Sequence, residues 1–238
     1  MDVNPENNPP PGKICVAIGG HDAGKLLSAA CRVEEQADVL EIRLDGLTKP
    51  EIMPFTEKLK KPLLFTNRPD WEGGLWKAGE AKRVALLKEA IDANGAYIDI
   101  ELRTELSLRR EIIDLAAKNK SRTIVSWHDF QITPSDGQLR DILREQIDSG
   151  ADIGKIVTMA HDYDDALRVL SLLTMAHEKD FSLIAFCMGE FGRISRLATL
   201  EHGGYMTYAA PDSGTGTALG QIPVSTLCLL LNRLHHGN

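Results

Sequence analysis

The sequence predicts an α/β fold, a single (β/α)8 TIM barrel, on the basis of two observations. Short runs rich in Val, Ile and Leu alternate eight times with longer segments whose apolar residues recur at three and four positions. Eight such units between residues 13 and 238 approach the usual size of a closed barrel, about 250 residues. An open doubly wound sheet is the alternative, but no G-x-G-x-x-G motif follows the first run. We therefore expect one domain over residues 13–238.

Each predicted strand is bounded by a segment with helical periodicity. The predicted strands are 13–18, 39–45, 62–68, 96–102, 122–128, 153–159, 181–188 and 205–210. Three of the clearest helical segments are 79–94, 106–120 and 136–150. Asn94-Gly95 and Ser149-Gly150 are typical helix ends, and residues 133–136 (Thr-Pro-Ser-Asp) are typical of a helix start.

Composition limits the classes of partner. The chain has 34 acidic and 27 basic side chains, a net charge of -7, which argues against nucleic acid as the main partner. It contains no uncharged apolar run of about 18 residues that could cross a membrane. The four cysteines are far apart in sequence, which predicts neither disulfides nor a zinc site and favours the cytoplasm. Residues 1–12 contain four prolines and no apolar stretch, so we expect a flexible lead-in.

Charged residues fall in phase inside five consecutive predicted strands. Residues two apart on a strand share a face, so Glu41, Arg43 and Asp45 lie opposite the leucines and isoleucine between them. The same test pairs Thr66 with Arg68, Asp99 with Glu101 and Ser126 with His128, and it places Lys155 with Ile153, Val157 and Met159. Because the apolar face must meet the helices, we expect the charged face inside the barrel, near its C-terminal mouth. Such groups form either an active site or a set of structural ion pairs.

Two of these residues are candidates for chemistry. His128 suits proton transfer, because the free pKa of histidine is near neutrality; a structural histidine is the alternative. Burial and neighbouring cations would keep Lys155 uncharged, and a neutral amine forms a Schiff base with a ketone. The alternatives for Lys155 are a side chain that reaches the barrel rim or an ion pair with Glu101 or Glu41.

Two further features lie near the predicted mouth. The glycine-rich segment 210–223 follows the eighth strand and is typical of a mobile lid, of a weak phosphate-binding loop or of a solvent loop. Arg196 follows the seventh strand. It is a candidate for binding a carboxylate, with a surface helix arginine as the alternative.

Seven motifs, in order along the chain, resemble the type I 3-dehydroquinate dehydratases. They are E-I-R-L-D (41–45), F-T-N-R (65–68), E-G-G (72–74), S-W-H-D-F (126–130), A-D-I-G-K-I-V (151–157), M-G-E-F-G-R-I-S-R (188–196) and G-Q-I-P (220–223). The resemblance extends from residue 13 to the end of the chain. Each motif is weak by itself, but all seven together at barrel-compatible spacing are specific.

The resemblance implies a lyase that dehydrates 3-dehydroquinate to 3-dehydroshikimate, the third step of chorismate and aromatic amino acid biosynthesis, without a metal or organic cofactor. It implies that Lys155 forms the imine with the ring ketone, that His128 is the general acid and base of a syn elimination, and that Glu72 orients the histidine. The substrate-binding residues that it implies are Glu41, Arg43, Arg68, Met188, Arg196, Thr217 and Gln221. A homodimer is the assembly that it suggests. Thr217 and Ala17 depart from the serines expected there, which bears on substrate affinity and not on the chemistry.

Three other functions remain open at this stage. A class I aldolase would also use Lys155 but normally requires a phosphate site. A metal-assisted enolisation enzyme would use Asp99, Glu101 and His128. A binding module for a carboxylic acid would use Lys155 only as a charge partner.

Overall fold

The structure, a computed structural model, describes residues 12–212 and 216–236. All of the predicted lead-in except Gly12 lies outside these residues. The strands are β1 Lys13–Ile18, β2 Val39–Arg43, β3 Leu63–Thr66, β4 Tyr97–Glu101, β5 Arg122–Asp129, β6 Ile153–Met159, β7 Ser182–Met188, β8 Met206–Ala210 and β9 Ile222–Pro223. The helices are α1 Ala23–Val33, α2 Met53–Lys58, α3 Glu80–Asp92, α4 Leu106–Asn119, α5 Asp136–Asp148, α6 Tyr163–His177, α7 Gly189–Glu201 and α8 Val224–His236.

The eight predicted strands form a parallel sheet that curls into the predicted barrel. The order is β7-β6-β5-β4-β3-β2-β1-β8, and the short β9 pairs with the end of β8. The gap between β7 and β8 is bridged by the N–H of Tyr205, which donates to the carbonyl of Leu183 at 2.8 Å. Strand alternating with helix requires this parallel arrangement, because each helix carries the chain back to the same end of the sheet. The predicted fold class is confirmed.

Helix ends agree with the local sequence signals. Helix α5 begins after Ser135, whose backbone N–H and hydroxyl donate to Gln138 Oε1 at 3.2 and 2.8 Å. Asn94, after α3, has φ 62°, and Gly150, after α5, has φ 79°. This left-handed conformation ends a helix and suits asparagine or glycine.

The barrel has two separate apolar cores. The larger lies between sheet and helices and contains Leu40, Ile42 and Leu44, each of which is fully buried. The smaller lies inside the barrel and includes the side chains of its N-terminal half. Its members on strands β1 to β8 include Cys15, Val39, Leu64, Tyr97, Ile124, Ile153, Ile184 and Met206. This apolar floor leaves the C-terminal half of the barrel for the charged residues, as the strand phase predicts.

Two strands end two residues earlier than predicted. Strands β2 and β3 end at Arg43 and Thr66, so Asp45 and Arg68 follow the strands instead of belonging to them. Backbone pairing between the two strands continues one residue past the end of β2, since the N–H of Leu44 donates to the carbonyl of Thr66 at 2.8 Å. Both side chains therefore lie at the mouth of the barrel. In the part of the chain that the structure describes, no helix is both long enough and apolar enough to span a bilayer.

Candidate active site

A cavity opens at the C-terminal end of the barrel. All ten side chains that the sequence predicts as site residues line it: Lys155, His128, Glu72, Glu41, Arg43, Arg68, Met188, Arg196, Thr217 and Gln221. The fold brings them together because six of them lie on barrel strands or just after one, and these strands end at the same rim. The others come from the turn after β3, from α7 and from the segment before β9.

Arg68 is the centre of a buried network beneath the cavity. Its guanidinium donates to Glu101 Oε1 at 2.6 Å, to Ser126 Oγ at 2.6 Å, to Asp99 Oδ2 at 2.7 Å and to Glu72 Oε2 at 3.2 Å. The side chain is 4% exposed. Three carboxylates thus share one planar cation, and this arrangement fixes their relative positions.

Lys155 projects from the middle of β6 into this network. Its Nζ lies 3.2 Å from Asp99 Oδ2 and 4.1 Å from the centroid of the Tyr208 ring. A carboxylate and an aromatic face both stabilise a positive charge. The carboxylate that contacts the amine is Asp99, not Glu101 or Glu41. That the amine is uncharged stays a prediction.

Asp99 is held as a carboxylate by its neighbours. Burial would raise the pKa of Asp99, but the positive charges of Arg68 and Lys155 outweigh burial and lower it below its usual value. The hydroxyl of Ser126 adds a hydrogen bond of 2.6 Å to Asp99 Oδ1. In β-sheet register Ser126 is also the direct neighbour of Lys155.

His128 and Glu72 form a second buried pair. Nδ1 of His128 lies 3.1 Å from Glu72 Oε2. Burial and the positive charges of Arg68 and Lys155 hold the pKa of His128 well below its usual value, so the imidazole is neutral near pH 7. Burial also raises the pKa of Glu72 to about 8. A neutral imidazole can accept a proton, which is the property that a general base requires.

The turn that carries Glu72 fits tightly against the residues after β5. Gly73 has φ 74°, a left-handed conformation, and a Cβ there would lie 2.3 Å from the ring of Phe130. The Phe130 ring stacks on His128 with 5.9 Å between ring centroids and 18° between planes. Glycine at position 73 thus permits a contact that covers one side of the imidazole.

Arg196 lies in the cavity wall and not on the helix surface. Its guanidinium carbon lies 4.6 Å from the centroid of the Phe186 ring, and its NH2 donates to the carbonyl of Leu219 at 3.2 Å. The residue is 1% exposed, and its Nε has no hydrogen-bond partner. Burial lowers the pKa of Arg196 to about 10. Among the described residues no carboxylate forms an ion pair with it, so the cavity contains a buried cation suited to an anionic ligand.

The remaining predicted binding residues have protein partners. Thr66 donates its hydroxyl to Glu41 Oε1 at 2.7 Å, and Arg43 forms two hydrogen bonds of 2.8 Å with Asp45. Both pairs lie at the side of the cavity formed by β2 and β3. Glu41 and Arg43 are thus held in position before any ligand binds.

The segment before β9 covers one side of the cavity. Gln221 Oε1 accepts hydrogen bonds from the backbone N–H groups of Thr217 and Ala218 at 2.7 and 3.3 Å. A Cβ at position 19 would lie 3.0 Å from the methyl group of Thr217, so the glycine there leaves room for this branched side chain. Residues 213–215 of the predicted loop lie outside the described residues.

Comparison with known proteins agrees with this geometry. The family model described as type I 3-dehydroquinase matches residues 14–238. The chain belongs to the type I 3-dehydroquinase family. The family predicted from the seven motifs is confirmed, and so is the prediction that the protein is an enzyme of the 3-dehydroquinate dehydratase class.

Similar proteins share this assignment over most of the chain. A 3-dehydroquinate dehydratase from Desulfotalea psychrophila is 45% identical over 215 residues, 90% of this chain and 95% of that protein. One from Methanocaldococcus jannaschii is 33% identical over 216 residues, 90% of this chain and 95% of that protein. The crystal structure of a type I 3-dehydroquinate dehydratase from Clostridium difficile, with covalently modified comenic acid, superimposes with a TM-score of 0.87 at 29% identity. That match covers 96% of this chain and 94% of that chain.

The metal-assisted alternative is disfavoured by the contacts of its three residues. Oxygens of Asp99 and Glu101 accept hydrogen bonds from arginine or lysine, and His128 contacts Glu72. Among the described residues no group of three His, Cys, Asp or Glu side chains is arranged to hold a metal ion. Cationic partners already occupy the carboxylate oxygens that a metal would need.

Several residues of this family member's site are missed by the sequence reasoning. Tyr208 and Phe186 line the cavity, and testing strands β7 and β8 for phase would have placed both inside the barrel. Phe130 also lines it and follows His128 by two residues. No sequence pattern predicts that Arg83 is buried, because an arginine on an amphipathic helix is usually exposed. It is fully buried here.

Proposed function

We propose that the protein dehydrates 3-dehydroquinate to 3-dehydroshikimate through a Schiff base on Lys155, with His128 as general acid and base. One observation carries this proposal. A buried amine and a neutral imidazole line one cavity, and so does a buried guanidinium that forms no ion pair with a carboxylate of the described residues. A ketone that also carries a carboxylate complements this set of groups.

The steps of the reaction follow from these groups. The ammonium of Lys155 loses a proton to His128, and the amine attacks the ring ketone to give a carbinolamine. The imidazolium returns this proton to the carbinolamine hydroxyl, which leaves as water and restores the neutral imidazole. The resulting iminium withdraws electrons from the adjacent carbon, and His128 removes a proton from that carbon. The hydroxyl on the next carbon leaves as water when the imidazolium returns this proton. Hydrolysis of the iminium releases the product and restores Lys155.

Asp99 supports the cationic stages of this sequence. It pairs with the ammonium in the free protein, and the iminium nitrogen carries the same positive charge. Because the pKa of Asp99 lies below its usual value, this carboxylate remains ionised throughout the neutral range. A permanent negative charge beside the nitrogen stabilises the iminium relative to the neutral ketone.

Different residues of the cavity would bind the carboxylate, the ring and the hydroxyls of the substrate. Arg196 would bind the carboxylate, and Met188 would pack against the ring. Glu41, Arg43, Arg68, Thr217 and Gln221 would bind the hydroxyls. The proposal places the enzyme at the third step of chorismate and aromatic amino acid biosynthesis. The homodimer and the cytoplasmic location stay predictions.

The experiment that tests the proposal is an assay of two substrates. We expect 3-dehydroquinate to be converted to a conjugated enone, detected by its ultraviolet absorbance, and a phosphorylated aldehyde to be left unchanged. Cleavage or condensation of the phosphorylated aldehyde would indicate the aldolase alternative instead. Binding of 3-dehydroquinate without turnover would indicate the binding module.

Substitution of Arg196 by glutamine should mainly weaken substrate binding. Loss of a charged hydrogen-bonding partner for the carboxylate is expected to raise KM by about 10- to 100-fold while kcat changes little. Steady-state kinetics measures both constants. Arg193→Gln is the matched control, because Arg193 is exposed on the same helix. A large fall in kcat at unchanged KM would contradict the assignment of Arg196 to the carboxylate.

The pH dependence should report on Glu72. His128 is a base at Nε2 only when Nδ1 carries the proton and donates it to an ionised Glu72. Since the pKa of Glu72 is about 8, kcat/KM should rise with pH and level off above this value. The pKa of His128 lies well below 6.5, so it adds no second transition between pH 6.5 and 8.

Glu72→Gln should abolish the rise, because glutamine does not ionise. Asp70→Asn is the control, since Asp70 is exposed on the same turn. A profile that is unchanged in Glu72→Gln would remove Glu72 from the catalytic pair.

A further inference from the structure

Arg83 is a fully buried cation behind the cavity. It lies on the first turn of α3, and none of its side chain is exposed to solvent. It forms two hydrogen bonds with Glu80, at 2.8 and 2.9 Å, and donates to Thr104 Oγ1 at 2.7 Å. It also pairs with Glu101 Oε2 and does not line the cavity. Burial of a charged arginine costs free energy unless its hydrogen-bonding partners are held in good geometry, as they are here.

Glu101 connects Arg83 to the centre of the site. Its Oε2 pairs with Arg83, and its Oε1 accepts from Arg68 at 2.6 Å. Arg68 in turn contacts the carboxylates beside the two predicted catalytic groups, Asp99 at 2.7 Å and Glu72 at 3.2 Å. Arg83 is therefore connected to each of these carboxylates through three successive ion pairs.

We propose that Arg83 is a positioning residue, which keeps Glu101 ionised and so divides the donors of Arg68 between Glu101, Asp99 and Glu72. This inference rests on the proposed function of Lys155 and His128. With Arg83 present, Glu101 competes with Glu72 for Arg68. Without Arg83, the fully buried Glu101 has one cation left and takes up a proton. Arg68 then pairs more strongly with Glu72.

The charges around Glu72, Glu101 and His128 determine in which direction the pKa of Glu72 moves when Arg83 is lost. Glu72 faces Arg68, Asp99, Glu101 and His128; Glu101 faces Arg68, Arg83 and Asp99; His128 faces Arg68, Lys155, Asp99, Arg43 and Glu72. Burial raises the pKa of Glu101 although two arginines lower it, so loss of one of these arginines would raise it further. Protonation of Glu101 removes a negative charge near Glu72 and therefore lowers the pKa of Glu72.

The test is the pH profile of kcat/KM in Arg83→Gln. We expect the rise near pH 8 to move down by about 1 pH unit. Arg83→Lys should keep it close to its original position, because it retains the charge. The midpoint of the rise does not depend on the amount of folded enzyme, so a loss of stability alone cannot produce the shift. Arg122→Gln is the control, since Arg122 is a partly buried arginine at the other end of the barrel.

A second variant covers the case in which Arg83→Gln does not fold. Glu101→Gln should produce the same downward shift, and adding Arg83→Gln to it should produce no further shift, because the two act through one carboxylate. An unmoved or upward-shifted rise in Arg83→Gln or in Glu101→Gln would overturn the inference, as would an equal shift in Arg122→Gln. Failure of the wild-type enzyme to convert 3-dehydroquinate would contradict the proposed function instead.

Discussion

Replacement of Lys155 by methionine is expected to lower kcat by about 10,000-fold or more, the scale seen when a nucleophile is removed. Methionine keeps most of the side-chain volume but cannot form an imine, so the ketone alone must stabilise the developing carbanion. Asp99 loses one cation and keeps its hydrogen bonds from Arg68 and Ser126. The fold should therefore survive, which thermal unfolding can verify alongside steady-state kinetics.

Two further substitutions separate covalent catalysis from a charge effect. Lys155→Arg retains a positive charge beside Asp99 but forms no imine, so it should be as inactive as Lys155→Met. Lys118→Met, on the exposed side of α4, should behave as wild type. Substantial turnover in Lys155→Arg would mean that the residue acts only as a cation, as the binding-module alternative requires.

The second large effect is expected for His128→Ala. Without the imidazole, no group of suitable pKa removes the proton beside the iminium, so kcat for dehydration should fall by about 100- to 10,000-fold. Imine formation should remain possible but slow, because Lys155 and its partner Asp99 are intact. Single-turnover kinetics can distinguish slow imine formation from slow elimination. Near-wild-type turnover would exclude His128 from the mechanism.

Strand phase predicted the position of the site because alternate side chains of a barrel strand point into the barrel, and the others point towards the helices. Glu41, Ser126 and Lys155 could be assigned to the interior from their spacing alone, since neighbouring residues on a strand point to opposite faces. The seven motifs added the family and the candidate roles. Both kinds of signal are local in sequence. The structure places the predicted residues in one cavity, and their roles stay predictions.

Pairing between strands could not be predicted in this way. Lys155 was expected to be uncharged or to pair with Glu101 or Glu41. The registers of β4, β5 and β6 place Glu101 level with it, but Arg68 and Arg83 hold both oxygens of Glu101, and the amine contacts Asp99 instead. Periodicity within one strand contains no information on the stagger between strands.

Contacts made by residues on helices and turns could not be predicted from strand periodicity either. The buried network includes Arg83 from a helix, whose residue type usually lies at the surface. Similarly, the contact of Phe130 with Gly73 depends on two turns whose conformation no periodicity describes.

Covalent attachment of substrate to Lys155 is the central claim, and reduction with borohydride measures it directly. The enzyme is mixed with 3-dehydroquinate and borohydride, digested and analysed by mass spectrometry. Hydride addition to the iminium carbon should leave a stable secondary amine on the peptide that contains Lys155. The adduct should be absent from Lys155→Met and from samples without substrate. An active enzyme that yields no adduct, or yields it on a different lysine, would contradict the account.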